Sequence, residues 1–203
     1  MVDPCIWIRL QYYRADHPEA VRQKNIMNSD FIVRAANVED ASAVARVHVD
    51  AWRRTYRTLI PKDILDNLSY EQRSSFWQTQ LSGLDIPACI FIAEDPQYGL
   101  VGFASGGRNR DEPEEFEGEL YAIYLREHYQ RRGIGWSLFY HVAGHLRTHG
   151  INSLIVWVLK ENPFRLFYES LGGVQISQRG IRMGNADLSE AAYGWKDLSQ
   201  FKG

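Results

Sequence analysis

The chain has 203 residues, 45% hydrophobic and 24% charged, with 16 Gly and 7 Pro, a usage that excludes disordered, collagenous and coiled-coil chains and fits one domain. Lys plus Arg (23) nearly balances Asp plus Glu (25), for a formal charge of −2; a general nucleic-acid or anionic-membrane binder is disfavoured, while a local basic cluster can still hold one phosphate-bearing ligand. The longest apolar runs, such as Leu154–Leu159, are far shorter than a membrane span, the first thirty residues carry charge without an apolar h-region, and Cys5 and Cys89 form no CxxC pair, so a soluble, cytoplasmic protein without a disulfide framework is expected.

Residues 1–29 lack clear periodicity and read as a loosely attached extension to a domain spanning 30–203; Met27 allows translation to start after most of it. Phe31–Ala35 is a strand. Asn37 and Asp40 form a variant capping box opening one amphipathic helix over Val38–Thr58, in which Val44, Ala45, His48, Trp52 and Thr55 recur at helical spacing. Pro61 interrupts it, and Ser69 with Gln72 caps a second helix carrying Phe76, Trp77 and Leu81. Cys89–Glu94 and Leu100–Arg108 are strands joined by a turn, and an acidic connection, Asp111–Gly118, leads to a third strand, Glu119–Leu125. Gly133-Ile134-Gly135 opens a helix that Gly150 ends. Ser153–Lys160 suits an interior strand. Asn162-Pro163 fits N-cap and N1 of a short helix stopped by Gly172-Gly173, and Val174–Met183 with Ala191–Leu198 makes a terminal hairpin. The order predicts a mixed α/β (α+β) domain with a hairpin-rich sheet flanked by helices.

The chemistry concentrates in Gln130-Arg131-Arg132-Gly133-Ile134-Gly135-Trp136, a polar turn between strand and helix. The first turn of a helix has unpaired N–H groups and a positive dipole end, glycines let an anion approach the backbone, and two arginines add forked donors. The bland alternative is a tight entry turn with solvated arginines. No Gly-Lys-Ser/Thr follows, against a Walker A loop, and Leu138 stands where a dinucleotide fingerprint needs its third glycine.

The same hexapeptide resembles the Q/R-x-x-G-x-G/A signature of the GNAT N-acetyltransferase superfamily. The resemblance extends over about 170 residues, Asp30–Leu198, through His48, Trp52, Tyr56, Ile60-Pro61 and Leu65, through Gly118–Leu125, and through Asn162-Pro163 with Phe167–Gly172. It implies a GNAT fold with a mixed, mostly antiparallel sheet, and acetyl-CoA as cosubstrate with no metal. Gln130–Trp136 would hold the pyrophosphate, and the backbone of Ile123, Tyr124 and Leu125 the pantetheine, with the Leu125 amide facing the thioester oxygen. Asn162 would bind the cofactor or only cap its helix. Tyr168 is similar to the family's general acid, and Glu119 stands where some members place a catalytic glutamate; the alternatives are a core tyrosine and an exposed strand-start carboxylate. Gly173 departs from the family pattern, in which Phe is frequent.

Six carboxylates from Asp111 to Glu119 read either as a solvated loop or as a surface steering a cationic acceptor. His141, His145 and His149 read as a half-exposed helical stripe rather than a metal site, and His48 likewise. The reading is acetyl transfer to a primary amine of a small molecule or peptide, in one ternary complex, with a homodimer allowed by the resemblance. A non-catalytic acyl-CoA-binding or partner-binding module is the alternative.

Overall fold

Residues 31–111 and 115–201 are described by the computed structural model. β1 (Ile32–Ala35) leads into the expected capping box: Asn37 Oδ1 accepts from the Glu39 amide at 2.9 Å and Asp40 Oδ2 accepts from the Asn37 amide at 2.8 Å. The box opens a 3-10 turn (Val38–Asp40) that passes into α1 (Ala41–Thr55). The helix ends three residues before its periodicity suggested, because the Leu59 and Ile60 amides turn back onto the Tyr56 carbonyl. Pro61 then precedes α2 (Lys62–Asp66), a single short helix that sequence reading missed. Ser69 caps α3 (Tyr70–Ser82) through the Gln72 amide at 3.2 Å.

β2 (Cys89–Asp95), β3 (Gly99–Arg108) and β4 (Gly118–Leu125) form an antiparallel meander, followed by α4 (Ile134–Thr148) and β5 (Leu154–Leu159). After α5 (Arg165–Ser170), β6 (Val174–Met183) and β7 (Ala186–Trp195) close the sheet as a hairpin. The strand order is β1-β2-β3-β4-β5-β7-β6, with β4 and β5 parallel and every other pair antiparallel. The mixed, mostly antiparallel sheet with flanking helices is the fold expected from the sequence.

Two cores lie on opposite faces. On one, Leu138, Phe139, Val142 and Leu146 of α4 and Tyr168 of α5 pack on Leu120, Ile123, Val156 and Val158. On the other, Val44, Trp52 and Tyr56 and Trp77 of α3 cover Ile92, Phe103, Ala122 and Tyr124. β5 is buried along its whole length on both sides, as its unbroken apolar run required. No helix among the described residues is long and apolar enough to cross a membrane.

Two further boundaries differ from the sequence reading for reasons the structure shows. β7 starts at Ala186, five residues before the expected Ala191, because Gly184 (φ +61°) and Asn185 make a tight turn that pairs Met183 with Ala186. α5 starts at Arg165, because Asn162 and Pro163 are taken up by a preceding turn in which the Asn162 carbonyl accepts from the Arg165 amide at 3.2 Å. Gly173 has a packing reason: a Cβ there would lie 2.7 Å from Trp195 Cζ2 and 2.9 Å from the Tyr168 carbonyl. The Trp195 indole, whose Nε1 donates to the Leu171 carbonyl at 2.9 Å, thus occupies the space next to it. Gly173→Ala is expected to cost about 1–3 kcal/mol by overpacking, read as a lower urea midpoint at unchanged m-value.

Candidate functional site

β4 and β5 pair only at Gly118 with Leu154 and Glu119 with Ile155. Beyond that point β5 continues to Leu159 against β7, while β4 continues to Leu125 against β3 alone among the described residues. The register of β3 and β4 shifts here, with Gly106 opposite Leu120 and Ser105 opposite Ala122, so Tyr121 is the extra residue of a bulge. The backbone edge from Leu120 to Leu125, including Ile123, Tyr124 and Leu125, faces a gap instead of a ladder. Those three residues are buried, and their peptide groups on that edge are available to an extended ligand.

The gap opens toward the carboxyl ends of both strands. On the β4 side, the chain runs through Arg126, a 3-10 turn (Glu127–Tyr129) and Gln130 to the start of α4. Gly133 is its N-cap, left-handed at φ +81°, and no side chain caps the first turn, which carries no acidic residue. Arg131 also adopts a positive φ of 61°, a strained conformation for a non-glycine residue. Arg131, Arg132 and Gly133 are exposed, Ile134 and Gly135 buried, and Gln130 and Trp136 half-buried. Arg132 lies over the Tyr129 ring at 5.1 Å, and Trp136 stacks on Tyr140 at 4.7 Å. Arg126 adds a buried Nε without a hydrogen-bond partner among the described residues. The donor set of Gln130–Trp136 therefore suits phosphate oxygens.

On the β5 side stand Asn162 and Tyr168, both fully buried. Asn162 Oδ1 accepts from the Phe164 amide at 2.9 Å, so its carbonyl side shapes the turn before α5. Tyr168 packs edge-on to Phe167 and Trp195 and lies close enough to Tyr124 for the two phenols to interact electrostatically. Burial in the α5 stripe is what the structure shows for this residue.

Glu119, at the last paired position, is buried on the face opposite α4 rather than exposed. Arg110 holds both its oxygens: Nε donates to Oε2 at 3.0 Å, the Arg110 amide donates to the same atom at 3.2 Å, and Nη2 donates to Oε1. Such a bidentate guanidinium partner occupies both carboxylate oxygens with charge-assisted hydrogen bonds. The acidic run does cross this face, since Phe116 packs on Ile155, Trp157 and Ala192. Its described carboxylates are engaged: Asp111 pairs with Arg179, Glu117 accepts from the Asn152 amide at 2.6 Å, and Glu115 lies 3.9 Å from Lys196. Glu112 and Glu114 lie outside the described residues.

Glu190 is a buried carboxylate the sequence reading missed. It sits in β7 opposite Leu159, fully buried, with Arg179 Nε donating to its Oε2 at 3.0 Å. Burial pushes its carboxyl up to about 7, against the opposing pull of Arg179. The only sequence signal was a single acidic residue before the apolar run Ala191–Tyr193.

His48 also departs from expectation. It is buried among Trp52, Trp77, Phe103 and Tyr124 and stacks on Tyr124 at 5.0 Å. Its Nδ1 accepts from Trp77 Nε1 at 3.1 Å, and desolvation, with Arg73 nearby, holds its pKa well below the ordinary value. His141 and His149 satisfy Nδ1 on the carbonyls four residues earlier, and no group of three or more metal-ligating side chains exists among the described residues.

A strand edge open to an extended ligand, ending at an uncapped helix N-terminus with arginines beside it, is the architecture of a protein that holds a long phosphate-bearing cosubstrate. Residues 47–172 match the model of the acetyltransferase (GNAT) family. The Bacillus subtilis (strain 168) protein described as "Uncharacterized N-acetyltransferase YuaI" is 40% identical over 171 residues, 84% of this chain and 95% of its own. An N-acetyltransferase from Staphylococcus aureus Mu50 superposes with a TM-score of 0.65 at 19% identity, over 84% of this chain and 100% of that one. The yncA protein of Salmonella typhimurium, solved with its cofactor acetyl-CoA, superposes with a TM-score of 0.63 at 16% identity, over 84% and 95% of the two chains. At such identities the solved structures speak for the fold, and the family match and the curated relative speak for descent. The chain belongs to the GNAT family and is an acetyl-CoA-dependent acetyltransferase.

The buried His48 has a pH signature. Its folded pKa is depressed, so below the unfolded value near 6.5 the unfolded chain binds a proton that the folded chain refuses, and stability falls as pH drops. His48→Gln removes this penalty along with the packing. The stability advantage of wild type over the variant is therefore expected to narrow between about pH 7.5 and about pH 5.5 in urea titrations.

Proposed function

We propose that the protein transfers the acetyl group of acetyl-CoA directly to a primary amine of a small molecule or peptide, with both substrates bound together. The observation that carries this reading is the parting of β4 from β5 with the uncapped start of α4 at its mouth. In this reading the transferase domain spans 30–203 and residues 1–29 are an extension to it.

Acetyl-CoA supplies an acyl group activated as a thioester, joined through pantetheine to a pyrophosphate. The free backbone edge at Ile123, Tyr124 and Leu125 would hold the pantetheine arm as a strand partner, with the Leu125 amide donating to the thioester oxygen as charge develops there. The amides of Ile134, Gly135 and Trp136, left uncapped by the side chain–free N-cap Gly133, would hold the pyrophosphate, with Gln130, Arg131 and Arg132 supplying side-chain donors and charge. Asn162, whose Oδ1 shapes the turn before α5, would bind the cofactor from the far wall of the gap. Tyr168 would give its phenolic proton to the departing sulfur. Glu119 would mark the acceptor side, held in place by Arg110.

Transfer without an acyl-enzyme is supported by Cys89, the single described thiol. It is buried in β2, and desolvation pushes its pKa up to about 12, which removes the thiolate needed for nucleophilic attack.

Calorimetry with acetyl-CoA and detection of released thiol against polyamines, amino acids, aminoglycosides and peptide N-termini test the reading. Acetyl-CoA is expected to bind, and at least one amine to release CoA. Arg132→Ala should weaken acetyl-CoA about tenfold or more, the loss of one charge-assisted contact. Tyr168→Phe should lower kcat by about tenfold to a hundredfold with acetyl-CoA affinity kept. Absence of acetyl-CoA binding at millimolar concentration would sink the proposal.

A further inference from the structure

The acceptor amine arrives as an ammonium ion, since a lysine-like amine has a pKa near 10.4, and some group must take its proton before attack. Glu119, the carboxylate nearest the parting strands, has both oxygens committed to Arg110. A second buried carboxylate lies on the same face of the sheet. Glu190 pairs with Leu159 across β7 and β5, and Leu159 shares the orientation of Ile155 and Trp157, opposite the α4 face.

Glu190 is half used. Its Oε2 accepts from Arg179, whereas its Oε1 is fully buried and has no hydrogen-bond partner among the described residues. Trp157, on the strand that bounds the gap, likewise has a buried Nε1 without a partner. Arg179 joins the two residues, its guanidinium lying 3.9 Å over the Trp157 ring while it binds Glu190 and Asp111. A buried acceptor and a buried donor, each beside the same guanidinium and without a hydrogen-bond partner among the described residues, are what a polar ligand or water would satisfy. Asp111, Glu119 and Glu190 face Arg110 and Arg179 across the same cluster.

We propose that Glu190 Oε1 is the group that takes the proton from the acceptor ammonium, directly or across one water, with Arg179 as its positioning residue. The inference rests on the acetyl-transfer reading above. The proton leaves nitrogen for Oε1 and frees the lone pair that forms the C–N bond as the C–S bond breaks. The second nitrogen proton replaces the one Tyr168 gives to sulfur, and Glu190 returns its own to solvent. Three charged groups set its titration: Arg179 from β6, which lowers it, and Glu119 from β4 and Asp111 from the β3–β4 connection, which raise it, on top of the dominant effect of burial.

The test is the pH dependence of kcat/KM with acetyl-CoA and whichever amine of the panel the wild type turns over. The acid limb is expected near pH 7. Glu190→Gln, close in shape to the protonated form, should lower kcat/KM by about a hundredfold or more and abolish that limb, while acetyl-CoA affinity stays within about twofold. Arg179→Gln should move the limb upward, and Glu119→Gln should move it downward, because the neighbours act on Glu190 with opposite signs. A purely structural Glu190 would move none of these midpoints. Loss of the limb in Glu119→Gln with retention in Glu190→Gln would overturn the proposal in favour of Glu119. If Glu190→Gln does not fold, the opposite shifts in the other two variants still decide. Wild type that binds acetyl-CoA yet releases no CoA would overturn the transfer reading and this base with it, whereas turnover with an unchanged limb in all three variants would overturn the base alone.

Discussion

The parting of β4 and β5 is the constraint on which the site depends. A parallel pair ordinarily extends as long as both strands last, and here β4 runs six residues past the last shared position. The bulge at Tyr121 and the full pairing of β5 with β7 explain why the two separate: β4 follows β3 through a local change of twist, and β5 is committed to the other half of the sheet. Unpaired backbone in a protein interior is costly unless something satisfies it. A ligand that runs as a pseudo-strand converts that cost into affinity, which accounts for a binding edge built from Ile, Tyr and Leu, residues whose side chains carry no chemistry for the purpose. The same divergence brings the start of α4 and the Asn162–Tyr168 segment to opposite sides of one opening.

The far face obeys a different rule. It buries carboxylates, and a buried charge persists only when paired. Arg110 neutralises Glu119, and Arg179 reaches across from β6 to serve both Glu190 and Asp111. The acidic connection is tied to the sheet through Asp111, Phe116 and Glu117, while Asp111, Glu115 and Glu117 stay exposed, as a solvated loop requires. What distinguishes the two buried glutamates is completeness of pairing, since Glu119 has both oxygens occupied and Glu190 has one.

Much of this was legible beforehand, for reasons that can be named. The capping pairs Asn37/Asp40 and Ser69/Gln72 and the doubly buried run of β5 are local signals, and each appears where its physics required. The Gln130–Gly135 turn was readable because its glycines and arginines are consecutive. Boundaries failed where a tertiary or turn interaction won: Gly184-Asn185 drew β7 back to Ala186, and Asn162 turned the chain before α5 could begin. His48 was misjudged because its helical stripe resembles a surface one; only the packing of Trp77 and Phe103 from other elements buries it. Glu190 was invisible because its surroundings come from Arg179, eleven residues away, and from Glu119, on a strand that is not a sheet neighbour of β7. Pairings across a sheet leave no local trace in sequence.

A strand edge deprived of its neighbour can serve as a donor array only if it is held still, since preorganised dipoles lose little on meeting their ligand. The aromatic cluster beneath β4 supplies that rigidity. Trp52 Nε1 donates to the Tyr124 hydroxyl at 2.7 Å, His48 stacks on the Tyr124 ring, and Trp77 fixes the imidazole from the other side. The two indole N–H groups and the acceptors they reach are paired inside an otherwise apolar core, so the network locks one arrangement instead of several. The neutral state of His48 belongs to the same logic: with Nδ1 accepting from Trp77, the imidazole needs only one proton, and a second would place an uncompensated charge among aromatic rings. Conservative changes at Trp52 or Trp77 would thus act on the transferase through the alignment of Tyr124 and Leu125, although neither indole reaches the gap's opening. The core on this face is part of the binding apparatus, because the ligand-binding atoms are backbone and only packing can place them.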